Sequence, residues 1–539
     1  MKLWPFGGNR SKKVSDLVVK RSYNSRRPPA IKVGGRSSYM GMATADYDGA
    51  DVNRLGDQWK TQPLTADQIL ERNQTILVGR SQEQLRNNDY AKQYARMSRN
   101  NIVGHRGFSL QAKIPLRNSP DDLDEAVNRA VEAAWRDWCK AENCDVTGKN
   151  SLRLLCAGAI DSNVSMGEAF FRMVTGSYGG KYGFSLQALH PQRCPMLLKM
   201  ENLPNGHFVR FGIEYNSYGK PIGYYFSDKD ADSDRINFGG TDYTRIPAPE
   251  VIHLYREEMV GQRRGLPWLA TSLFRARQLN GMEGAALVNA RAGANKQGFV
   301  ESSADADPLL EWETEEQGDF EVESEPGEIT VLPNGATFKE YNPQYPNGEY
   351  VGFKKSHLQG IASGNGVSYN NLCNDLEGVN FSSIRQGTLD ERENWKELQE
   401  WMIEQMIQKI FAEWLKRALL GGFIKVNGRP ISATRLLEIE DNVDWQARRW
   451  AWIDPVSDVK ANAESVAKGF NSASRVIRES GNDPETIWQE RARDIKKQID
   501  YHIAQGTSKE TAEKLVLLGA GYDYHLLQTQ PEATPNETK

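Results

Sequence analysis

The longest amphipathic pattern in the chain extends from residue 381 to residue 420. Its apolar side chains recur at helical spacing and share one stripe of an α-helix: Leu389, Trp395, Leu398, Met402, Met406, Ile410, Trp414 and Leu419. Gly421 and Gly422 follow, and glycine commonly ends a helix. At 1.5 Å per residue, the pattern predicts a helix roughly 60 Å long, which is longer than most globular domains need.

A second helical pattern follows Gly265 and is rich in small residues. They are Ala270, Gly281, Gly284, Ala285, Ala286, Ala290, Ala292, Gly293 and Ala294. Each glycine inside a helix costs about 1 kcal/mol relative to alanine, so the run requires compensation. Close packing of neighbouring backbones would provide it, and a ring of identical chains supplies such neighbours.

The remaining patterns indicate a body of strands and shorter helices. Apolar runs at 169–174, 184–189, 208–213 and 222–226 alternate with Gly, Asn and Asp, which predicts a mainly antiparallel β region. Residues 119–122 read Ser-Pro-Asp-Asp, a composition typical of a helix start. Further helices are predicted near 459–480 and 484–505. Together these patterns predict an α+β fold.

Composition and charge refine this picture. With 539 residues, 39% apolar content and thirteen Trp, the chain can fill a substantial core and divide into two or more domains. The net charge of −4 hides an uneven distribution. The first forty residues carry ten Lys or Arg and one Asp, whereas residues 301–328 carry twelve acids and no Lys or Arg. The basic arm is either a polyanion-seeking extension or a solubilising one, and the acidic insert is expected to form a small projecting module.

No catalytic motif is present. The chain lacks G-x-x-x-x-G-K-[ST], G-x-S-x-G and H-E-x-x-H, so we predict that it is not an enzyme and uses no cofactor. The five cysteines, at 139, 144, 156, 194 and 373, include no CxxC pair and are expected to be reduced thiols. The sequence contains no apolar run of about eighteen residues, so no membrane span is predicted. His190 and His253 lie in apolar β-like runs, where satisfied core histidines are expected.

A collinear set of phrases covering roughly residues 80 to 500 resembles the tailed-phage portal proteins of the lambda family. The phrases are Arg86-Asn-Asn-Asp-Tyr-Ala91, Ala133-Ala-Trp-Arg-Asp-Trp138, Gly167-Glu-Ala-Phe170, Gly212-Ile-Glu-Tyr-Asn216, Ile222-Gly-Tyr-Tyr225, Ile252-His-Leu-Tyr-Arg256, Gln262-Arg-Arg-Gly-Leu-Pro267, Gly298-Phe299, Ile361-Ala-Ser-Gly-Asn-Gly-Val-Ser-Tyr369, Asn380-Phe-Ser-Ser-Ile384 and Gly469-Phe-Asn-Ser472. The phrases occur in the same order as in that family.

The resemblance implies a portal fold assembled as a ring, usually of twelve copies, at one capsid vertex. Double-stranded DNA would enter through the ring during packaging and leave during infection. The implied partners are further copies of the chain, the terminase large subunit, the major capsid protein, the scaffold and a head-completion or adaptor protein. The implied location is the virion, preceded by the host cytoplasm. Another ring-forming head-tail connector or baseplate component is an alternative, and a metal-dependent DNA-processing enzyme is a more distant one.

The resemblance also divides the chain into segments. They are a basic, flexible arm (1–60), an α+β wing (61–264), a stem helix (265–298), a clip (299–346), a second stem helix (347–363), a tunnel loop (364–380), a long kinked wing helix (381–424), a C-terminal wing or crown region (425–510) and a flexible tail (511–539).

Three groups of site residues follow from this division. Candidates to approach DNA from the stem are Arg275, Arg277, Arg291, Lys296, Lys354 and Lys355, although several could instead pair with acids of a neighbouring subunit. Tunnel-loop candidates are Gly364, Asn365, Gly366, Ser368, Asn370, Asn371 and Asn374, whose side chains could hydrogen-bond phosphates without fixed charge. The expected docking surface of the clip comprises Glu311, Glu313, Glu315, Glu316, Asp319, Glu321, Glu323 and Glu325.

Overall fold

A computed structural model describes residues 62–117, 119–227, 243–294, 298–302, 336–340, 348–377, 381–450, 455–480 and 482–519. Its helices are α1 (Ala66–Asn87), α2 (Asp89–Ile102), α3 (Glu125–Trp138), α4 (Ala141–Cys144), α5 (Leu152–Met166), α6 (Leu273–Ala294), α7 (Tyr350–Gly364), α8 (Tyr369–Cys373), α9 (Phe381–Met402), α10 (Gln408–Leu420), α11 (Leu436–Asp441), α12 (Pro455–Ala467), α13 (Ala473–Glu479), α14 (Pro484–Ala504) and α15 (Lys509–Gly519). The expectations for the arm at 1–60, for Lys296 and for the eight acids of the clip lie outside the described residues.

The strands are antiparallel in every described sheet. They are β1 (Ser109–Ala112), β2 (Pro115–Leu116), β3 (Ser119–Leu123), β4 (Glu168–Thr175), β5 (Phe184–Leu189), β6 (Phe208–Arg210), β7 (Ile213–Tyr215), β8 (Pro221–Ser227), β9 (Tyr243–Pro247), β10 (Val251–Tyr255), β11 (Gly298–Ser302), β12 (Ala336–Glu340), β13 (Lys425–Val426), β14 (Arg429–Pro430) and β15 (Val443–Gln446). The mixture of helix and sheet confirms the predicted α+β class.

Two sheets form the β region that the apolar runs predict. One has the strand order β10-β4-β5, and the other has β6-β7-β8-β9. The run at 208–213 is not one strand, because Phe211 and Gly212 have φ angles of 53° and 76° and reverse the chain between β6 and β7. Such a pair of left-handed residues is the two-residue turn that suits a twisted hairpin.

The main core is built around tryptophans from distant parts of the chain. Trp135 and Trp138 of α3 pack with Trp414 of α10, and Phe411 and Trp445 complete the cluster. Trp445 belongs to β15, which pairs with β1. These early and late parts of the chain are therefore joined through both a strand ladder and an aromatic cluster.

The helix start expected at residues 119–122 is wrong. Residues Ser119–Leu123 form β3, which pairs with β2, and the helix begins at Glu125. Asp124 is its cap, because the Asp124 side chain accepts a hydrogen bond from the backbone N–H of Val127. Both Ser119 and Asp124 are residues that commonly cap helices. Because Ser119 pairs within the β2–β3 ladder, the helix begins after Asp124.

The long amphipathic pattern corresponds to α9 and α10 joined by a π-helical turn at Ile403–Ile407. Every member of the predicted stripe is buried except Leu389, which is 40% exposed. A π turn adds a residue to the helical repeat, and Met402, Ile403, Met406 and Ile407 are all buried across it. The extra residue thus widens the buried stripe where the two α segments meet.

The carboxy-terminal region differs from its prediction in two places. The helix expected at 459–480 is divided into α12 and α13, which are separated around Gly469 at a φ of 78°. The expectation of a flexible tail from residue 511 is wrong for residues 511–519, because α15 covers them. Ser508 caps α15 through the N–H of Thr511, and Ala512 and Val516 are buried.

The five cysteines are free thiols, and three of them are buried. Burial raises the pKa of Cys144 and of Cys194 to about 12, so both remain protonated at neutral pH. The His253 side chain is only 5% exposed, as expected, but His190 is exposed and caps a short turn by accepting a hydrogen bond from the N–H of Gln192. The expectation of a core position for His190 is therefore wrong.

Candidate functional site: the two-helix segment and its root

Residues 265–364, the two-helix segment, leave the body along α6 and return along α7. Side-chain contacts fix the antiparallel register of the two helices. The Ser272 hydroxyl donates to Asn365 Oδ1 over 2.8 Å at one end, and Lys354 Nζ lies 2.5 Å from Glu283 Oε1 further along. Beyond the helices, β11 pairs with β12, so the two halves of the segment remain adjacent.

A buried ion pair holds the root of this segment. Arg264 is 1% exposed, and its Nη2 lies 2.5 Å from Oε1 of Glu168, which is fully buried at the start of β4. Arg264 also donates to the carbonyl of Phe211 over 2.7 Å. His253 Nε2 lies 3.0 Å from the second oxygen of Glu168, and its ring is stacked on Phe170. The group thereby links β4, β10 and the hairpin turn to the residues preceding α6.

The charges in this group are balanced. Burial alone would raise the pKa of Glu168, but the charge of Arg264 and hydrogen bonds from His253 and Arg264 lower it to about 2. Burial lowers the pKa of His253, so the ring is neutral at pH 7 and its Nε2–H donates to Glu168. One anion, one cation and one neutral donor therefore satisfy each other away from water.

Two glycines bring the backbones of the root into contact. A Cβ built on Gly265 would lie 1.8 Å from the carbonyl oxygen of Gly167, and a Cβ on Gly167 would lie 2.3 Å from the backbone of Leu266. Gly167 also has a φ of 86°, a conformation that favours glycine. No residue larger than glycine fits at this crossing without backbone movement.

Three of the six basic candidates pair with acids of their own subunit. Arg277 lies 3.5 Å from Glu83, Lys354 contacts Glu283, and Lys355 lies 3.5 Å from Asp375. The guanidinium of Arg275 lies against Gly360, in the space that a side chain at that position would occupy. Arg291 is exposed and has no acidic partner within the part of the chain that the structure describes. Arg277, Lys354 and Lys355 therefore each face an acid of the same subunit, whereas Arg291 does not among the described residues.

Residues 364–374 of the expected tunnel loop are folded onto the body. They include α8, which Ser368 caps through the N–H of Asn371 and which Asn374, at a φ of 53°, ends. Asn365 is buried against Ser272. The carbonyl of Gly366 accepts a hydrogen bond from Asn394.

Glu391 of α9 is the anchor of this folded stretch. One of its carboxylate oxygens accepts hydrogen bonds from the N–H and hydroxyl of Ser368 and from the side chain of Asn371. Its other oxygen accepts from the indole of Trp395. The loop also forms backbone hydrogen bonds within itself, since the N–H of Asp375 donates to the carbonyl of Asn370. The side chains of Asn365, Ser368 and Asn371, expected to reach DNA, are thus engaged in local structure.

One face of α6 has no partner within the described subunit. Phe274, Gly281 and Val288 are spaced seven residues apart on this face, and Phe274 is 75% exposed. A Cβ built on Gly281 or on Gly284 would meet no atom within 4 Å. Gly281 and Gly284 therefore do not serve close packing against the described part of the subunit.

The described residues contain no group of three or more His, Cys, Asp or Glu side chains that could hold a metal ion. Among these residues, no helix is both long enough and apolar enough to cross a membrane.

Comparison with known proteins shows which class of protein this chain resembles in sequence. The chain is 30% identical over 459 residues to the "Probable portal protein" of Halomonas phage phiHAP-1, covering 84% of this chain and 87% of that relative. It is 21% identical over 498 residues to Portal protein B of Escherichia phage lambda, covering 87% and 92% of the two chains. Both relatives are portal proteins of phages.

The chain belongs to the lambda family of phage portal proteins, whose sequence model matches residues 53–399. It is accordingly a virion component with a portal role, as the sequence resemblance predicts. A chain from the neck of an empty gene transfer agent particle is similar over 77% of this chain and 94% of its own length, at 15% identity and a TM-score of 0.43.

Proposed function

We propose that the protein assembles into a closed ring, of twelve copies by analogy with its family, through which double-stranded DNA passes during packaging and ejection. The two-helix segment would form the stem, and residues 364–380 would form the tunnel loop. The open face of α6 is the observation that supports this proposal most directly, because its glycines and exposed apolar side chains require a neighbour to be satisfied.

The charges of the stem agree with a channel that conducts DNA. Each phosphate neutralised by Lys or Arg adds affinity by releasing counterions, so a lining of free cations would retain the duplex. Arg277, Lys354 and Lys355 are compensated by acids of the same subunit. A ring built from such subunits would attract DNA weakly at these positions and let it slide.

Ring assembly through α6 is tested by Gly281→Leu. We expect this variant to remain folded but to lose closed rings, since leucine fills the space that a neighbouring backbone would occupy. Native mass spectrometry would give the subunit number, and negative-stain images would show whether a central hole is present. Gly79→Leu is the matched control, because Gly79 is also an exposed helical glycine with open space around it. Rings of normal mass from Gly281→Leu would contradict the proposed packing.

The acidic insert at 301–328 would form the clip and present a negative collar to the terminase and later to the head-completion protein. Its sequence carries twelve acids without a compensating base. Replacing Glu313, Glu316, Glu321 and Glu325 by arginine should preserve rings but reduce terminase binding and DNA packaging by at least about tenfold, because electrostatic complementarity is reversed. Pull-down of terminase and packaging of DNA into proheads measure the two effects. Normal packaging by the variant would refute the collar hypothesis.

A further inference from the structure

We propose that Lys355 is an exchangeable contact for DNA phosphate: Asp375 holds it when the channel is empty, and a passing phosphate takes the place of Asp375. The inference rests on the proposed channel function. It concerns how the same channel can attract DNA without retaining it.

The Lys355–Asp375 pair is loose and accessible. The two charged atoms are 3.5 Å apart, and the Lys355 side chain is 43% exposed. Its ammonium also lies 5.3 Å from the centre of the Tyr369 ring, which supports the side chain without neutralising its charge. Exposed ion pairs contribute little to stability, so a competing phosphate has little to overcome.

Asp375 has hydrogen-bond donors besides Lys355. The Tyr369 hydroxyl donates to Asp375 Oδ2 over 2.7 Å, and the N–H of Glu377 donates to Oδ1 over 3.1 Å. These hydrogen bonds lower the pKa of Asp375, so the carboxylate remains charged at neutral pH and satisfied after Lys355 departs. Because it remains an anion beside Lys355, it can also recapture the lysine once the phosphate has moved on.

The adjacent lysine shows the opposite arrangement. Lys354 Nζ is 2.5 Å from Glu283 and lies over the ring of Tyr90, and its side chain is 33% exposed. Burial would lower the pKa of Lys354, but the bonds with Glu283 and Tyr90 raise it. Tyr90 also donates to Glu283, so that acid serves the packing of α2 against α6. We therefore assign Lys354 to structure and only Lys355 to exchange.

The test compares assembled rings in their binding of a fluorescent 30-bp duplex over a range of salt concentrations. Asp375→Asn removes the competing charge, and counterion release then predicts about tenfold tighter binding at about 0.1 M salt for each Lys355–phosphate contact that Asp375 no longer offsets. The slope of log affinity against log salt should steepen by about 0.9 for each such contact. Adding Lys355→Gln to Asp375→Asn should restore wild-type affinity and slope.

Glu393→Gln is the matched control. It makes the same change in net charge and frees Lys396, whose partner is Glu393 at 2.6 Å on α9. The exchange would be overturned if Glu393→Gln rings bound the duplex as tightly as Asp375→Asn rings. It would also be overturned if Asp375→Asn still tightened duplex binding when Lys355 was replaced by Gln. Unchanged affinity of Asp375→Asn rings when wild-type rings bind the duplex would likewise overturn it. Wild-type protein that forms no ring, or rings that exclude the duplex, would instead refute the proposed function and this inference with it.

Discussion

Glu168→Gln is expected to lower the free energy of unfolding by about 3–5 kcal/mol, the effect of removing one partner from a buried ion pair. The substitution preserves the shape of the side chain but removes the negative charge that Arg264 faces. Arg264 is 1% exposed and cannot turn to water without dismantling the junction of β4, β10 and α6. The midpoint of urea unfolding, followed by tryptophan fluorescence at fixed protein concentration, measures the loss.

Glu201→Gln is the control for this substitution. Glu201 pairs with Arg210 over 3.0 Å, but its side chain is 69% exposed, so we expect a change within about 0.5 kcal/mol. Equal effects of the two substitutions would show that burial of the Glu168–Arg264 pair has no special consequence.

The same pair also determines part of the acid sensitivity. Glu168 has a pKa of about 2 in the folded protein and an ordinary value of 4.5 when unfolded. A depressed carboxyl pKa contributes stability that is complete above about 4.5 and is lost as the pH falls towards 2. The difference in unfolding free energy between the wild type and Glu168→Gln should therefore shrink across this window. A difference that stays constant from pH 5 to pH 2 would contradict the assignment.

Local patterns predicted the elements well where one physical signal dominated. The stripe from Trp395 to Leu419 is buried because apolar side chains at helical spacing lie on one face of the helix, and that face packs against the core. The apolar runs at 169–174, 184–189 and 222–226 are strands because apolar residues and the turn residues beside them act within a few positions of each other, whereas the run at 208–213 divides into two strands. The same local reasoning failed at residues 119–122, where pairing of β3 with β2 overrides a good helix-start composition.

The root of the two-helix segment could not be derived from periodicity. Glu168 and Arg264 are separated by 96 residues, and neither has a local feature that marks it as buried and paired. Both lie in phrases that carry the family resemblance, which was the one available signal. Charged residues are expected at the surface, so only the fold shows that these two satisfy each other inside.

The basic candidates show a related limit. The sequence allowed Lys354 and Lys355 to face DNA or to meet acids of a neighbour, and the structure gives both an acid from their own subunit. Glu283 and Asp375 lie 71 and 20 positions away in sequence from these lysines, on α6 and after α8. Which charges remain available is therefore a property of the folded subunit and its neighbours.

Gly265→Ala should destabilise the protein by about 3 kcal/mol, the upper part of the range for overpacked sites, because the added methyl group meets backbone on an opposing segment. Its Cβ would lie 1.8 Å from the carbonyl oxygen of Gly167 and 2.5 Å from the carbonyl carbon. Neither atom belongs to a flexible side chain, so the two segments must separate. Separation would also weaken the bond from the Gly265 N–H to Glu168 Oε2, which is already 3.3 Å long.

The matched control for this contact is Gly281→Ala in subunits that have not assembled. A Cβ there meets nothing within 4 Å, and alanine is favoured over glycine inside a helix, so stability should rise by up to about 1 kcal/mol. The two substitutions add the same methyl group with opposite expected signs, which separates backbone crowding at the root from intrinsic helix preference. A neutral result for Gly265→Ala in urea unfolding would mean that the root does not depend on close contact between Gly167 and Gly265.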